Sequence, residues 1–386
     1  MPKVEFKLPE TFESFGEARK SGFLKMKALK EKGAGVVGVF CVYTPLEVFL
    51  AAGLVPVSLC STSDETIPEA EKTLPRNLCP LIKASYGFAV ADKCPYMYFS
   101  DLVVGETTCD GKKKMYELLG QIKDVHVLNL PQTQSGQRSL PFLISELKAL
   151  KDKVETAFGV TIAEADLTRA IKEKNAEKRL IKEFYELSQM DPPPMTGLQQ
   201  LQVLFGSQFK FDLPEKLADL RQTIDDLKEA RAKGERPVAK GAKRLVMTGC
   251  PTGGATEKVI KAIEESGAVI VAYENCTGAR QYDREVREDG DPWEALAEYY
   301  LGVGCSVMTP NPNRLELLGR LCREFKADGV VEMVLQACHT YAIETQTIRS
   351  FLSDKGLPFL TLETDYSAGD VGQLKTRAAA FIETLG

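Results

Sequence analysis

The stretch KRLVMTGCPTGGATEKVIKAIEESGAVIVAYENC, residues 243–276, reads as strand, glycine-rich turn, helix and strand in direct succession. Arg244–Met247 and Ala268–Tyr273 are short unbroken apolar runs, the pattern of strands buried on both faces. Between them Ala255–Ser266 spaces its apolar residues as an amphipathic helix, and Gly267 closes it. Strand, crossover helix and strand make a βαβ unit, which predicts a parallel sheet with helices on its faces.

Six more apolar runs extend the pattern: Gly35–Phe40, Leu54–Leu59, Tyr98–Val104, Val125–Leu130, Gly329–Leu335 and Pro358–Leu362. Helical segments separate many of them. Thr44-Pro45-Leu46-Glu47 has the form of a capping box with proline at the first helical position, opening a helix that stops at Gly53. Asp291-Pro292-Trp293-Glu294 repeats that logic. Ser145–Met190 is charged and helical with no strand signal, and Asp191-Pro192-Pro193-Pro194 breaks it before a further helical run, Pro214–Lys233. The fold class is α/β: two parallel-sheet domains of the Rossmann/flavodoxin-like kind with a helical insert and a cleft between the domains. The boundaries are 1–140 for the N-terminal domain, 141–240 for the insert and linker, and 241–386 for the C-terminal domain.

With 386 residues, 44% of them hydrophobic and a formal net charge of −5, the chain suits two globular domains and carries no basic surplus for nucleic acid. No apolar run approaches the ~20 residues that span a bilayer. The first twenty residues lack the apolar core of a signal peptide, so a cytoplasmic protein with no membrane partner is expected. In that compartment the ten cysteines are not expected to form disulfides.

Where the cysteines fall is informative. Cys41, Cys60, Cys109, Cys250, Cys276 and Cys338 all follow predicted strands, and the carboxyl edge of an open α/β sheet is where ligands bind. Cys79 joins them at a helix start before Pro80, where the helix dipole favours a thiolate. Cys305 lies in a long segment on the same side. Cys322 shares a helical stripe with Leu318 and Phe325 and reads as core; Cys94 precedes a strand and belongs at the opposite edge. Any one of these thiols is explained as well by packing as by ligation. Six at the same kind of edge favour a metal centre assembled from distant parts of the chain. No pair is spaced C-x-x-C, which removes ferredoxin, thioredoxin and most zinc-finger patterns. All-thiolate ligation suits an iron–sulfur cluster.

Other residues have two readings. Gly249, Gly253 and Gly254 form a strand-to-helix turn whose backbone N–H groups can hold an anion, phosphate or cluster sulfide alike. His339, directly after Cys338, is a proton source or a structural residue. Asp101, Glu106, Asp110, Glu274 and Glu344 lie near cysteine-bearing turns, where a carboxyl beside an anionic cluster holds a proton that it can donate; the plain alternative is a solvated loop charge.

Asn77-Leu78-Cys79-Pro80-Leu81-Ile82-Lys83, Gly105-Glu106-Thr107-Thr108-Cys109-Asp110-Gly111, Glu274-Asn275-Cys276-Thr277-Gly278-Ala279-Arg280 and Leu335-Gln336-Ala337-Cys338-His339-Thr340 resemble, in order, the motifs of the 2-hydroxyacyl-CoA dehydratase superfamily. The resemblance implies a [4Fe–4S] cluster on Cys79, Cys109 and Cys338, with electrons supplied by a separate ATP-hydrolysing iron–sulfur reductase. The additional cysteines resemble more closely the double-cubane proteins of that family, homodimers holding an [8Fe–9S] cluster on six thiols. The second three would come from Cys41, Cys60, Cys94, Cys250, Cys276 and Cys305, with Cys250, Cys276 and Cys305 favoured by position and Cys60 next. The function this implies is ATP-coupled reduction of a small molecule at very low potential. The rival expectations are a single-cubane dehydratase subunit, a non-catalytic cluster or electron carrier, and a thiol-rich protein with no metal.

Overall fold

The computed structural model describes residues 17–386. The signal-peptide reading of the N-terminus falls largely on residues outside these. Eight strands follow in chain order: β1 Val36–Val39, β2 Val55–Ser58, β3 Leu102–Glu106, β4 Val125–Leu128, β5 Lys243–Gly249, β6 Ala268–Glu274, β7 Gly329–Leu335 and β8 Phe359–Thr364. They form two four-stranded sheets with orders β2-β1-β3-β4 and β6-β5-β7-β8. Every pairing is parallel. The two sheets therefore share one topology. In each, the first strand in sequence is central and the chain leaves it in both directions, which opens a crevice beyond the carboxyl ends of β1 and β3 and of β5 and β7.

Burial explains why these runs are strands. All seven residues of β7 are buried, as are all seven of β6, so neither face can tolerate polar alternation. Ser139–Phe158 and Glu164–Glu186 are long helices separated by Gly159, whose φ of 64° ends the first in the left-handed conformation. The first of them buries Leu143, Leu147, Leu150 and Val154 on one stripe. Each such side chain contributes about 1.5–3 kcal/mol on leaving water. This stripe shares a core with Val37 and Leu102 of the first sheet and with Trp293 and Leu296. The latter lie on helix Pro292–Leu301, so a segment from the second half of the chain completes the core of the first sheet. Asp291 caps that helix as expected, accepting from the N–H groups of Trp293 and Glu294.

Two local expectations change. The run read as a strand from Tyr98 is divided: Pro95–Phe99 is a short helix, and the strand begins at Leu102. Cys94 caps that helix, accepting from the Met97 N–H at 3.4 Å. Thr44 caps nothing. The helix Leu46–Ala51 forms, but the Thr44 hydroxyl turns away to donate to the buried Glu106 carboxylate. Among the described residues no helix is long and apolar enough to cross a membrane.

Candidate metal centre

The repeated topology places cysteines at matching points. Cys41 and Cys250 follow the central strands β1 and β5; Cys60 and Cys276 follow β2 and β6; Cys109 and Cys338 follow β3 and β7. With Cys79 and Cys305 these thiols line one cavity of about 250 Å³. Eight of the ten cysteines thus meet in one place, and Cys94 and Cys322 are not among them. Cys322 is 5% exposed on helix Pro312–Glu324, packed in the core as its stripe predicts.

Two kinds of group support the sulfurs. Cys79, Cys109 and Cys338 each stand at the N-cap of a helix: Pro80–Val90, Asp110–Leu119 and His339–Ser353. The N–H groups of Leu81 and Ile82, of Lys112 and of Tyr341 favour the respective thiolates, by their dipoles rather than as aligned capping bonds. Side-chain cations serve the other group. The Lys112 ammonium lies 3.9 Å from Cys60 Sγ, and the Arg280 guanidinium 3.8 Å from Cys276 Sγ. The Tyr341 hydroxyl is 3.8 Å from Cys305 Sγ and accepts from Arg280.

The thiols also act on one another. Hydrogen bonds from Cys250 and Cys79, helped by the Thr340 hydroxyl, pull Cys338 down to about 3. Cys79 rises in return, chiefly through that bond to Cys338, and Cys250 rises chiefly through burial. Cys276 is lowered by its hydrogen bond with Cys41 and by Arg280, whereas burial pushes Cys60, Cys109 and Cys305 up. Backbone strain accompanies this crowding. Cys41 and Ala337, the residue before Cys338, both have φ of 58°, a left-handed conformation that non-glycine residues adopt at a cost of about 1–3 kcal/mol.

Beneath the second sheet's thiols lies a largely buried ion network. Arg280 donates to both oxygens of Glu274, at 2.7 and 3.0 Å. Arg314 reaches Glu274 at 3.3 Å, Glu332 at 3.1 Å and Glu344 at 2.5 Å. Glu344 also accepts from Asn311 and does not line the cavity, so it stands behind the thiols as part of a brace. Glu274 is in the same position. Glu106 is buried near the first sheet's thiols; burial raises it to about 7 against the opposing pull of Lys112. Asp101 pairs with Lys30 at the amino end of the sheet, away from the cavity. Only Asp110 and His339, both exposed, reach the cavity rim.

The glycines of the turn after β5 do not line the cavity; Cys250, Pro251 and Thr252 do. A Cβ on Gly249 would stand 2.2 Å from the Met333 carbonyl, and one on Gly254 2.4 Å from the Thr62 hydroxyl, while Gly253 faces the Phe205 ring. Close backbone packing explains them. Sequence reasoning assigned no role to Arg280, Arg314 or Tyr341. Arg280 sits in a motif that stands out for its cysteine, and nothing local marks Arg314 as buried.

No three His, Cys, Asp or Glu side chains among the described residues converge on a single-ion site. The thiols surround a volume rather than a point. Thr108 and Ser306 also line the cavity, and their hydroxyl oxygens are buried without a partner. Many soft donors, adjacent buried cations and unmet hydroxyls around a volume fit a polynuclear sulfide cluster. Zinc, satisfied by four ligands, would leave half the thiols idle.

The family model described as 2-hydroxyglutaryl-CoA dehydratase, D-component, matches residues 41–385. The chain is 50% identical over 379 residues to "Putative dehydratase subunit YjiM" of Escherichia coli (strain K12), covering 98% of each chain. It is 25% identical over 364 residues to the (R)-phenyllactyl-CoA dehydratase beta subunit of Clostridium sporogenes, covering 93% of this chain and 94% of that one. It is 25% identical over 360 residues to the beta subunit of lactoyl-CoA dehydratase of Anaerotignum propionicum, covering 92% and 93%.

Proposed function

Because the chain belongs to the 2-hydroxyglutaryl-CoA dehydratase D-component family, we propose that it is an iron–sulfur reductase holding an [8Fe–9S] double cubane. Eight thiols on one cavity carry this reading, since a single cubane on three cysteines would leave five unused. Cys79, Cys109 and Cys338, the helix-capping set, hold one cubane. Cys250, Cys276 and Cys305 hold the other, with Cys60 the nearest alternative. When bound, such a cluster stores and passes single electrons at low potential.

The chain's own groups prepare the site for that charge. Lys112 and Arg280 offset thiolate charge in a place where water cannot. Tyr341 and the unmet hydroxyls of Thr108 and Ser306 offer hydrogen bonds into the cavity. His339, exposed at the rim, is placed to serve as the proton source. The electron comes from an ATP-hydrolysing iron–sulfur partner, because the sequence has no Walker motif of its own. The working unit is a homodimer in the cytoplasm, and the substrate is a small molecule. In this reading 1–140 and 241–386 close on the cluster, and the helices of 141–240 brace them.

A single-cubane dehydratase subunit is the second reading, favoured by relatives named as dehydratase subunits. Anaerobic turnover with an ATPase reductase partner and MgATP separates the two. Reduction of a small unactivated molecule without water loss from a 2-hydroxyacyl-CoA is expected. ATP-dependent dehydration of such a thioester would replace the first reading with the second.

A further inference from the structure

A second chamber, of about 130 Å³, adjoins the thiol cavity. The two share Cys41, Ser58, Gln208 and Gln281 in their walls, so they are contiguous. Among the described residues, the chamber wall presents Lys174, Lys178, Lys210 and Lys216 against a single lining carboxylate, Glu177. Such a concentration of ammonium groups is unusual because these side chains are almost out of water: Lys178 retains 5% of its side-chain exposure and Lys216 11%.

Their pairing leaves a surplus. Lys174 and Lys216 both bind Glu177, at 2.5 and 3.0 Å, and Lys178 binds Glu47 at 3.2 Å. Among the described residues, three ammonium groups therefore share two carboxylates, while Lys210 pairs with Asp219. Glu47 spends its other oxygen on the Tyr300 hydroxyl at 2.7 Å. A buried uncompensated cation is costly, and an anion entering the chamber removes that cost. Lys216 registers the imbalance: burial pulls it down, and Lys174 and Lys210 add to that against the opposing Glu177.

We infer that this chamber is a subsite for a small organic carboxylate, whose charged end is held by Lys174, Lys178 and Lys216 and whose far end faces the thiol cavity at Cys41. Leu46, Val57 and Phe211 give the wall an apolar side for a short chain. The volume is well below the ~300–1,000 Å³ of sites for larger ligands, which excludes a nucleotide or a coenzyme A thioester. As a substrate class the inference rests on the reductase reading above; as a binding site it stands without it.

Calorimetric titration of the anaerobically purified protein with butyrate, and with its uncharged analogue butyramide, tests this. Butyrate is expected to bind at least about 10-fold more tightly, the range of one charge-assisted hydrogen bond. Lys178→Met is expected to lose about 10-fold in butyrate affinity, and Lys178→Arg to keep most of it. Equal affinity for the two probes, or no butyrate binding at all, overturns the inference, and that comparison needs no variant to fold. A cluster-bearing protein blind to butyrate would sink the subsite alone, whereas an iron-free protein that still prefers butyrate would sink only the reductase reading.

Discussion

Lys112 Nζ stands 3.9 Å from Cys60 Sγ, joining residues 52 positions apart in the chain. Lys112 as a residue is 5% exposed, and its ammonium lies 5.1 Å from the centre of the Phe40 ring. The nearby carboxyl, Glu106, is engaged by Thr44 and pushed towards neutrality. A buried cation whose polar contact is a thiol is suited to balancing anionic sulfur. Lys112→Met is therefore expected to lower the midpoint potential of the bound cluster, and Lys112→Arg to preserve it. An EPR-monitored redox titration reads both; equal potentials in wild type and Lys112→Met would remove Lys112 from the site.

Arg314 holds three carboxylates, of which Glu274 and Glu332 are fully out of water and Glu344 keeps 13% of its side-chain exposure. Removing the guanidinium leaves them facing one another. Arg314→Met is expected to destabilise the fold by about 3–5 kcal/mol. Urea unfolding followed by circular dichroism measures it, and a loss below about 1 kcal/mol would contradict the ion brace.

Glu264 accepts from the Gly197 N–H at 2.5 Å, yet burial outweighs that bond and raises its carboxyl to about 7. A raised acid binds its proton more tightly folded than unfolded. Its contribution is complete below about pH 4.5 and is lost as the pH climbs through 7. Glu264→Gln keeps an acceptor for Gly197 and removes the charge. Its Tm is expected to gain on wild type as the pH moves from 5 to 8; parallel Tm curves would show that Glu264 ionises freely.

Leu147 is fully buried on the stripe that seals the first sheet. Leu147→Ala is expected to cost about 2–5 kcal/mol. Iron content should be unchanged in the fraction that remains folded, because the stripe lies apart from the thiols. Iron loss in folded protein would mean that the helices couple directly to the cavity.

Much of this was legible in the residues. Strands buried on both faces have no alternation to disguise, and Gly329–Leu335 was bounded correctly for that reason. Cysteines at strand ends could be placed on one edge without any coordinates, and the two that did not fit, Cys94 and Cys322, are the two outside the cavity. Two of the failures come from contact between distant parts of the chain, and one is local. Thr44 has the sequence of a cap but meets a carboxylate 62 positions away. The local one is Tyr98 and Phe99, which read as the start of a strand over Tyr98–Val104 but end the helix Pro95–Phe99, a run too short for periodicity to decide. Lys174 and Lys178 look like the wet face of a charged helix. Lys178 is buried, and Lys174 keeps 12% of its side-chain exposure, because Leu46–Ala51 and Leu213–Ala232 pack against Glu164–Glu186, which no local pattern records.

The convergence of thiols on one cavity is tested most directly by counting iron and acid-labile sulfide in protein prepared without oxygen. About eight irons per chain are expected, falling sharply when Cys79, Cys109 or Cys338 is changed to serine and holding steady for Cys322→Ser. Colourless protein without iron, or an iron content indifferent to all four substitutions, would contradict the assignment.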